Sequence, residues 1–357
     1  MLQFIKRYDW YLNGALLFLA TASLVMLASV NNQQFFWFQL AWVVVAFAII
    51  ALFSQIDWRP IISYRWAILG GYLSVTALLI LTLLIAPAIR GSRSWLPLGP
   101  FQFQTSELAK FALIILLAAF FAKRHLAIAR LHTIIISFLY AAVFLGLILL
   151  QPDLGSALIV GGIWLGFLLV SGIPWRYLLV GLVIFSLLAF AGWNFFLKDY
   201  QKDRVIGLFN PTYDPLGVNY NVIQSKIAIG SGGWLGKGFG QGTQVQLGFL
   251  PEVHADFIFA ALIEEWGLVG GVLVLAAFLL VMARIIRIGI LADNNFYKLL
   301  SLGTVIMFLL QLTLNVGSNL GLLPVVGVSF PFLSQGGSNL LINAMLVGIL
   351  ESITINQ

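Results

Sequence analysis

The chain has no cysteine, so disulfides, thiol nucleophiles and thiolate metal sites are excluded, and a metal would need oxygen or imidazole ligands. Charge is almost as scarce: 9% of the 357 residues are charged, against about 25% in an ordinary soluble domain. With 61% hydrophobic residues and a mean hydropathy of +1.00, the chain shows no soluble domain and no internal repeat at a fixed period. Its net charge of +6 does not point to nucleic acid, because the basic residues sit in short loops and form no basic domain. They read as topology signals.

What the chain does have is apolar runs of about 20 residues, the length that crosses about 30 Å of hydrocarbon as helix. Breaks at charged or Gly/Pro-rich segments give ten spans, at 10–29, 36–55, 66–88, 106–122, 133–150, 155–172, 177–196, 257–283, 297–316 and 338–355. The expected fold class is therefore an all-α polytopic membrane protein, a single membrane domain over 1–357. Lys6 and Arg7 precede an apolar stretch, as in a signal peptide, but Trp10 to Ala28 is long for one and supplies the first crossing.

Arg59, Arg65, Lys123, Arg124, Arg130, Arg176, Arg284, Arg287 and Lys298 fall in alternate short loops, and only Arg90 and Arg93 fall in the others. The positive-inside rule then puts both termini in the cytoplasm. One connection is long. Residues 197–256 form an outer segment with Lys198, Lys202, Arg204, Lys226 and Lys237, and its "YNVIQSKIAIG" predicts a short amphipathic helix packed on the outer face.

Five stretches carry polar chemistry. In "RGSRSWLPLGPFQFQTSELAK" (90–110), Glu107 and Lys110 share a helix face. They are either a self-neutralising pair or, with Arg93, a site where Lys110 meets an anionic headgroup. In "QPDLGSA" (151–157), Asp153 stands where an N-cap belongs. "GSGGWLGKGFGQGTQ" (230–244) invites a phosphate-loop reading, but Ser231 and Gly238 break the Walker spacing, which leaves a Gly-rich loop beside a lipid phosphate, with Lys237 in it. In "LPEVHADFIFA" (250–260), Glu252, His254 and Asp256 stand at the edge of a span, where Asp256 serves as an N-cap or a catalytic residue. Glu264 and Glu265 follow inside that span and need a cavity or a basic partner. Finally, "NLGLLPVVGVSFPFLSQGGSN" (319–339) has two prolines, Pro324 and Pro331, and a polar wall of Ser334, Ser338 and Asn339. Such broken backbone at membrane depth must be buried or line a cavity.

Taken together, "GSRSW", "TSELAK", "QPDLGSA", "GSGGWLGKGFGQGTQ", "LPEVHADFIFA", "EEWGLVGG" and "LGLLPVVGVSFPFLSQGGSN", in this order across most of the chain, resemble the SEDS family of cell-wall proteins, to which RodA and FtsW belong. The resemblance implies a ten-span peptidoglycan glycosyltransferase of the bacterial cytoplasmic membrane, acting in elongation and cell shape. Its substrate would be lipid II, joined into glycan strands on the outer face, and its partner a class B penicillin-binding protein. Within the family pattern the essential acid is the Asp of "HADF", here Asp256. Thr105, Ser329 and Gln335 depart from the family's usual Pro, Pro and Tyr, and none of these is ionisable. The short N-terminus and tail look more like RodA than FtsW.

An inverting displacement at the anomeric carbon needs a base for the incoming hydroxyl and cations for the departing pyrophosphate. Asp256 is placed to be that base. Arg93, Lys110, Arg204 and Lys226 are available cations, and a divalent ion such as Mg or Mn held by carboxylates would share the work. A lipid II flippase is the competing reading, but it needs a hydrophilic path to the inner leaflet, whereas these polar groups cluster on the outer half. A non-catalytic scaffold for a penicillin-binding protein would leave their convergence on one face unexplained.

Overall fold

A computed structural model describes residues 8–30, 33–89, 91–99, 101–124, 130–195, 199–210, 213–217 and 219–356. Arg90, Lys198 and the side chain of Arg204 lie outside the described residues.

Among the described residues ten long helices stand where the apolar runs place them. They are α1 (Trp10–Ser29), α2 (Gln33–Gln55), α4 (Arg65–Ile85), α5 (Thr105–Ala122), α6 (Leu131–Leu150), α7 (Leu154–Val170), α8 (Trp175–Phe195), α12 (Ile258–Leu291), α13 (Asn295–Asn319) and α14 (Gly337–Asn356). Among the described residues eight helices are long and apolar enough to cross a membrane, and α7 is a shorter apolar one. The short helices are α3 (Arg59–Ser63), α9 (Asp199–Phe209), α10 (Tyr220–Gly232) and α11 (Thr243–Gln246). α10 is the helix expected from "YNVIQSKIAIG", and it buries Ser225, Ala228 and Gly232.

α12 and α13 form the centre, with α1 and α10 against α12, α5 and α7 against α13, and α14 lying along α2. Their contact faces carry the buried apolar residues, while the other faces keep large apolar side chains exposed, as lipid-facing helices do. α8 buries no residue among those described.

Two features were not visible as apolar runs. A short antiparallel hairpin, β1 (Trp95–Leu98) and β2 (Phe101–Gln104), precedes α5, with Trp95 opposite Gln104. α12 runs on to Leu291, beyond the expected 283, and breaks at Gly267 (φ 74°, ψ −179°). A break leaves backbone groups without helical partners, which must be found elsewhere at membrane depth. The Gly-rich loop supplies them: Lys237 N and Gly238 N donate to Glu264 O and Glu265 O (2.9 and 3.0 Å), while Leu268 N and Val269 N donate to Gly233 O and Trp234 O (2.9 and 3.2 Å). The glycines permit the approach, since a Cβ on Gly236 would stand 2.1 Å from Glu265 O.

Candidate active site

The polar stretches meet at one end of the bundle. Residues 252–257 form turns rather than helix, so their carbonyls need partners from outside the segment. His254 O accepts from Gln335 N (2.8 Å), and Ala255 O accepts from Ser334 Oγ (2.6 Å). Asp256 O accepts from Asn315 Nδ2 (3.1 Å) and Asn319 Nδ2 (2.9 Å). The late loop and α13 thus hold three successive peptides around Asp256. Glu252 (φ 52°) and the buried Phe332 (φ 62°) adopt the left-handed conformation that non-glycine residues avoid, one in each of the two segments that meet here.

The Asp256 side chain is half-buried. The cap position of α12 is Phe257, with no side-chain cap bond, so Asp256 is not the N-cap that one sequence reading allowed. Its carboxylate lies beside the backbone of Gly327 (φ 70°), where a Cβ would stand 3.9 Å from Asp256 Oδ2. His254 stacks on Phe35 with ring centroids 4.2 Å apart, its Nε2 3.6 Å from Glu252 Oε2.

The Glu107–Lys110 pair is real. Lys110 Nζ donates to Glu107 Oε1 at 2.7 Å, and Lys110 is only 2% exposed. The other carboxylate oxygen accepts from Asn339 Nδ2 (3.1 Å), which joins α5 to α14. Ser338 Oγ accepts from Gln104 N (3.0 Å), so the hairpin end is tied to the same helix start. Asp153 caps α7 through Ser156 N (3.0 Å), and its Oδ2 accepts from Gln104 Nε2 (3.0 Å) and Ser106 Oγ (3.1 Å). The stretch from Gln335 to Asn339 is therefore the junction of both halves, touching the Asp256 segment at one point and the Glu107 cluster at another.

Glu264 has the basic partner that its depth requires. Its Oε1 accepts from Lys237 Nζ (2.7 Å), Thr243 Oγ1 (3.1 Å) and Gln244 N (3.0 Å), and its Oε2 accepts from Val245 N (3.3 Å). The glycine loop that looked suited to a phosphate encloses this internal carboxylate. Lys237→Met should lower thermal stability in detergent by about 2 kcal/mol, because a fully buried carboxylate loses its charged donor but keeps its neutral ones, Ser231 Oγ, Thr243 Oγ1, Gln244 N and Val245 N. Adding Glu264→Gln should recover part of that loss, and an unchanged melting midpoint in Lys237→Met would show the clamp to be idle.

Two cations are more open. Arg93 is exposed, with its backbone N held by Gln151 O (3.1 Å). Lys226 is exposed on α10 at a cleft of about 370 Å³ lined also by Asn219, Asn221, Gly321 and Pro324. Gly321 (φ 67°) makes room for it, since a Cβ there would stand 2.5 Å from Lys226 Nζ. Gly321 and Gly327 belong to one loop, so a single segment passes from the lysine cleft to the aspartate. Among the described residues no group of three or more His, Asp or Glu side chains is arranged to hold a metal ion.

The sequence reading missed Asn315 and Asn319, whose signal was two amides one turn apart at the end of an apolar run. It missed also the opposite end of the bundle, where Asp9 pairs with Arg284 (2.7 Å) and Asn13 with Glu351 (2.5 Å), fastening α1 to α12 and α14.

The family model for cell cycle proteins of the FtsW/RodA/SpoVE type matches residues 5–357. The chain belongs to this family. Peptidoglycan glycosyltransferase MrdB of Escherichia coli K12 is 38% identical over 313 residues, covering 87% of this chain and 83% of the relative. A probable peptidoglycan glycosyltransferase FtsW of Geobacter metallireducens is 35% identical, covering 94% and 89%. Among solved structures, one described as "Structural coordination of polymerization and crosslinking by a peptidoglycan synthase complex" superposes with a TM-score of 0.83 at 33% identity, covering 98% of each chain. The rod shape determining protein RodA of Thermus thermophilus gives 0.73 at 28% identity, covering 97% of this chain and 96% of that one. The FtsW/RodA/SpoVE fold thus covers nearly the whole chain, which is a multi-pass membrane protein.

Proposed function

We propose that the chain is a peptidoglycan glycosyltransferase that polymerises lipid II on the outer face of the bacterial cytoplasmic membrane, with Asp256 as general base. The observation that carries the reading is the fixed Asp256 segment: three consecutive peptides are held from outside, and the carboxylate is left half-buried beside a glycine. A group that only capped a helix would not need that support.

In the reaction, the acceptor sugar's hydroxyl oxygen attacks the anomeric carbon of the donor from the face opposite its pyrophosphate. The hydroxyl proton passes to Asp256, the new β-glycosidic C–O bond forms, and the old C–O bond breaks with its electron pair leaving on the undecaprenyl pyrophosphate. Lys226, exposed at its cleft, and Arg93 are the open cations for that departing charge, and Arg204 belongs to the same long loop. Lys110 is buried on Glu107, whose other carboxylate oxygen accepts from Asn339 and joins α5 to α14; Lys110 reaches a phosphate only if that pair opens. Asp153, Lys237, Ser334 and Ser338 are engaged with the protein itself and serve by shaping the walls. A class B penicillin-binding protein is the partner that would cross-link the product.

The orientation is tested directly because the native chain has no cysteine. A single cysteine at Gln241 should react with a membrane-impermeant maleimide on intact spheroplasts, and one at Arg130 should react only after lysis. The reverse pattern would place the site in the cytoplasm and end the outer-face assignment.

A further inference from the structure

We propose that Asn319 is the positioning residue that sets Asp256 relative to the anion-facing Lys226, an inference that rests on the reaction proposed above. In a regular helix the N–H of Ala260 would donate to the carbonyl of Asp256, four residues back. Here Ala260 N donates instead to Asn319 Oδ1 (3.1 Å), and Asn319 Nδ2 donates to Asp256 O (2.9 Å). The amide of Asn319 is inserted into the first bond of the ladder, which opens that turn and carries Asp256 away from the helix. The next bond, from Ala261 N to Phe257 O (3.1 Å), is regular.

Asn319 is fully buried, and its amide has little freedom left. Its second amide hydrogen goes to Asn315 O (2.8 Å), one turn back on α13. Asn315 makes the companion contacts, donating to Asp256 O (3.1 Å) and to Val328 O (2.8 Å), next to the glycine that faces the Asp256 carboxylate. The main chain of Asn319 looks the other way. Its carbonyl accepts from Ser225 Oγ (2.8 Å), a buried hydroxyl on α10 immediately before Lys226. Two residues further on, Gly321 makes room for the Lys226 side chain. One residue therefore holds the base through its side chain and the cation's helix through its backbone.

The test is steady-state polymerisation of purified lipid II by the full chain in detergent. Asn319→Asp is isosteric and keeps the acceptor for Ala260 N, but turns an oxygen toward Asp256 O in place of a donor. Its kcat should fall about 100-fold with KM within about threefold of wild type, since a 1 Å misplacement of a reacting group costs about that factor. Asn319→Gln keeps the amide and moves it by one methylene, so kcat should fall about tenfold. Ser225→Ala, which releases α10, should show the opposite split, raising KM more than it lowers kcat.

A purely structural role would lower kcat only in proportion to the folded fraction, read by size-exclusion profile and melting midpoint. That proportionality, or wild-type kcat in both Asn319 variants, would overturn the proposal. So would failure of both variants to fold, which would make the residue a structural requirement. Asp256→Asn in the same assay separates the two levels. If it still polymerises, the reaction assignment has failed; if it is inactive while both Asn319 variants run at full rate, only the positioning role has.

Discussion

Asp256→Asn should abolish glycan polymerisation, with a loss of about 10²-fold or more, while expression, melting behaviour and the hydrogen bonds to its backbone stay as they are. The substitution preserves shape and leaves Asp256 O on Asn315 and Asn319. It removes only the proton acceptor. A role in capping would predict almost no effect, because Asn and Asp cap helices about equally well, and the cap of α12 makes no side-chain bond in any case. Product strands on a gel, scored against wild type at equal protein, decide between the two. Near-normal strands would move the base elsewhere, with Glu252 the next acid to test.

The second large effect is at Lys110. Lys110→Ala leaves Glu107, 5% exposed, with Asn339 as its remaining donor, and removal of one partner from a buried pair costs about 3–5 kcal/mol. Activity should fall with it, since Asn339 opens α14 just after Ser338, which holds the hairpin end at Gln104. The double change Glu107→Gln with Lys110→Met removes both charges and keeps the volume, so it should regain most of the melting midpoint. If it also regains polymerisation, the pair is structural and Lys110 has no substrate role. Recovered stability with activity still absent would give Lys110 a contact with the lipid-linked phosphate.

How much of this could be read beforehand differs by element. The membrane helices were legible because a bilayer demands long apolar runs, so each begins close to where the run begins, as α5 does at Thr105 and α12 at Ile258. The Glu107–Lys110 pair was legible because three residues along a helix is one face. The hairpin was not, because eight strand residues with mixed polarity carry no period that stands out beside a span. Nor was the purpose of the glycine loop, since the break at Gly267 and the carboxylate of Glu264 lie about 30 residues away from the backbone that completes them. Asp256 was singled out by its place before an apolar run and by the family pattern. Its support was not: Ser334, Asn315 and Asn319 lie 59 to 79 residues further along the chain, and only the packing of α13 and the late loop on α12 reveals them. Asp153 shows the converse, a residue whose plain capping role was correct from sequence and whose extra bonds to Gln104 and Ser106 only the fold supplies.

Synthesis of glycan strands by this chain is what every role above depends on. The most direct measurement is to incubate the purified wild-type protein with lipid II in detergent, alone and with a class B penicillin-binding protein whose transpeptidase serine is blocked, and to resolve the products by length. The account predicts strands of many disaccharides with release of undecaprenyl pyrophosphate, and none from Asp256→Asn under the same conditions. Lipid II recovered intact in both arms, with translocation across liposomes catalysed instead, would contradict it and make the chain a transporter.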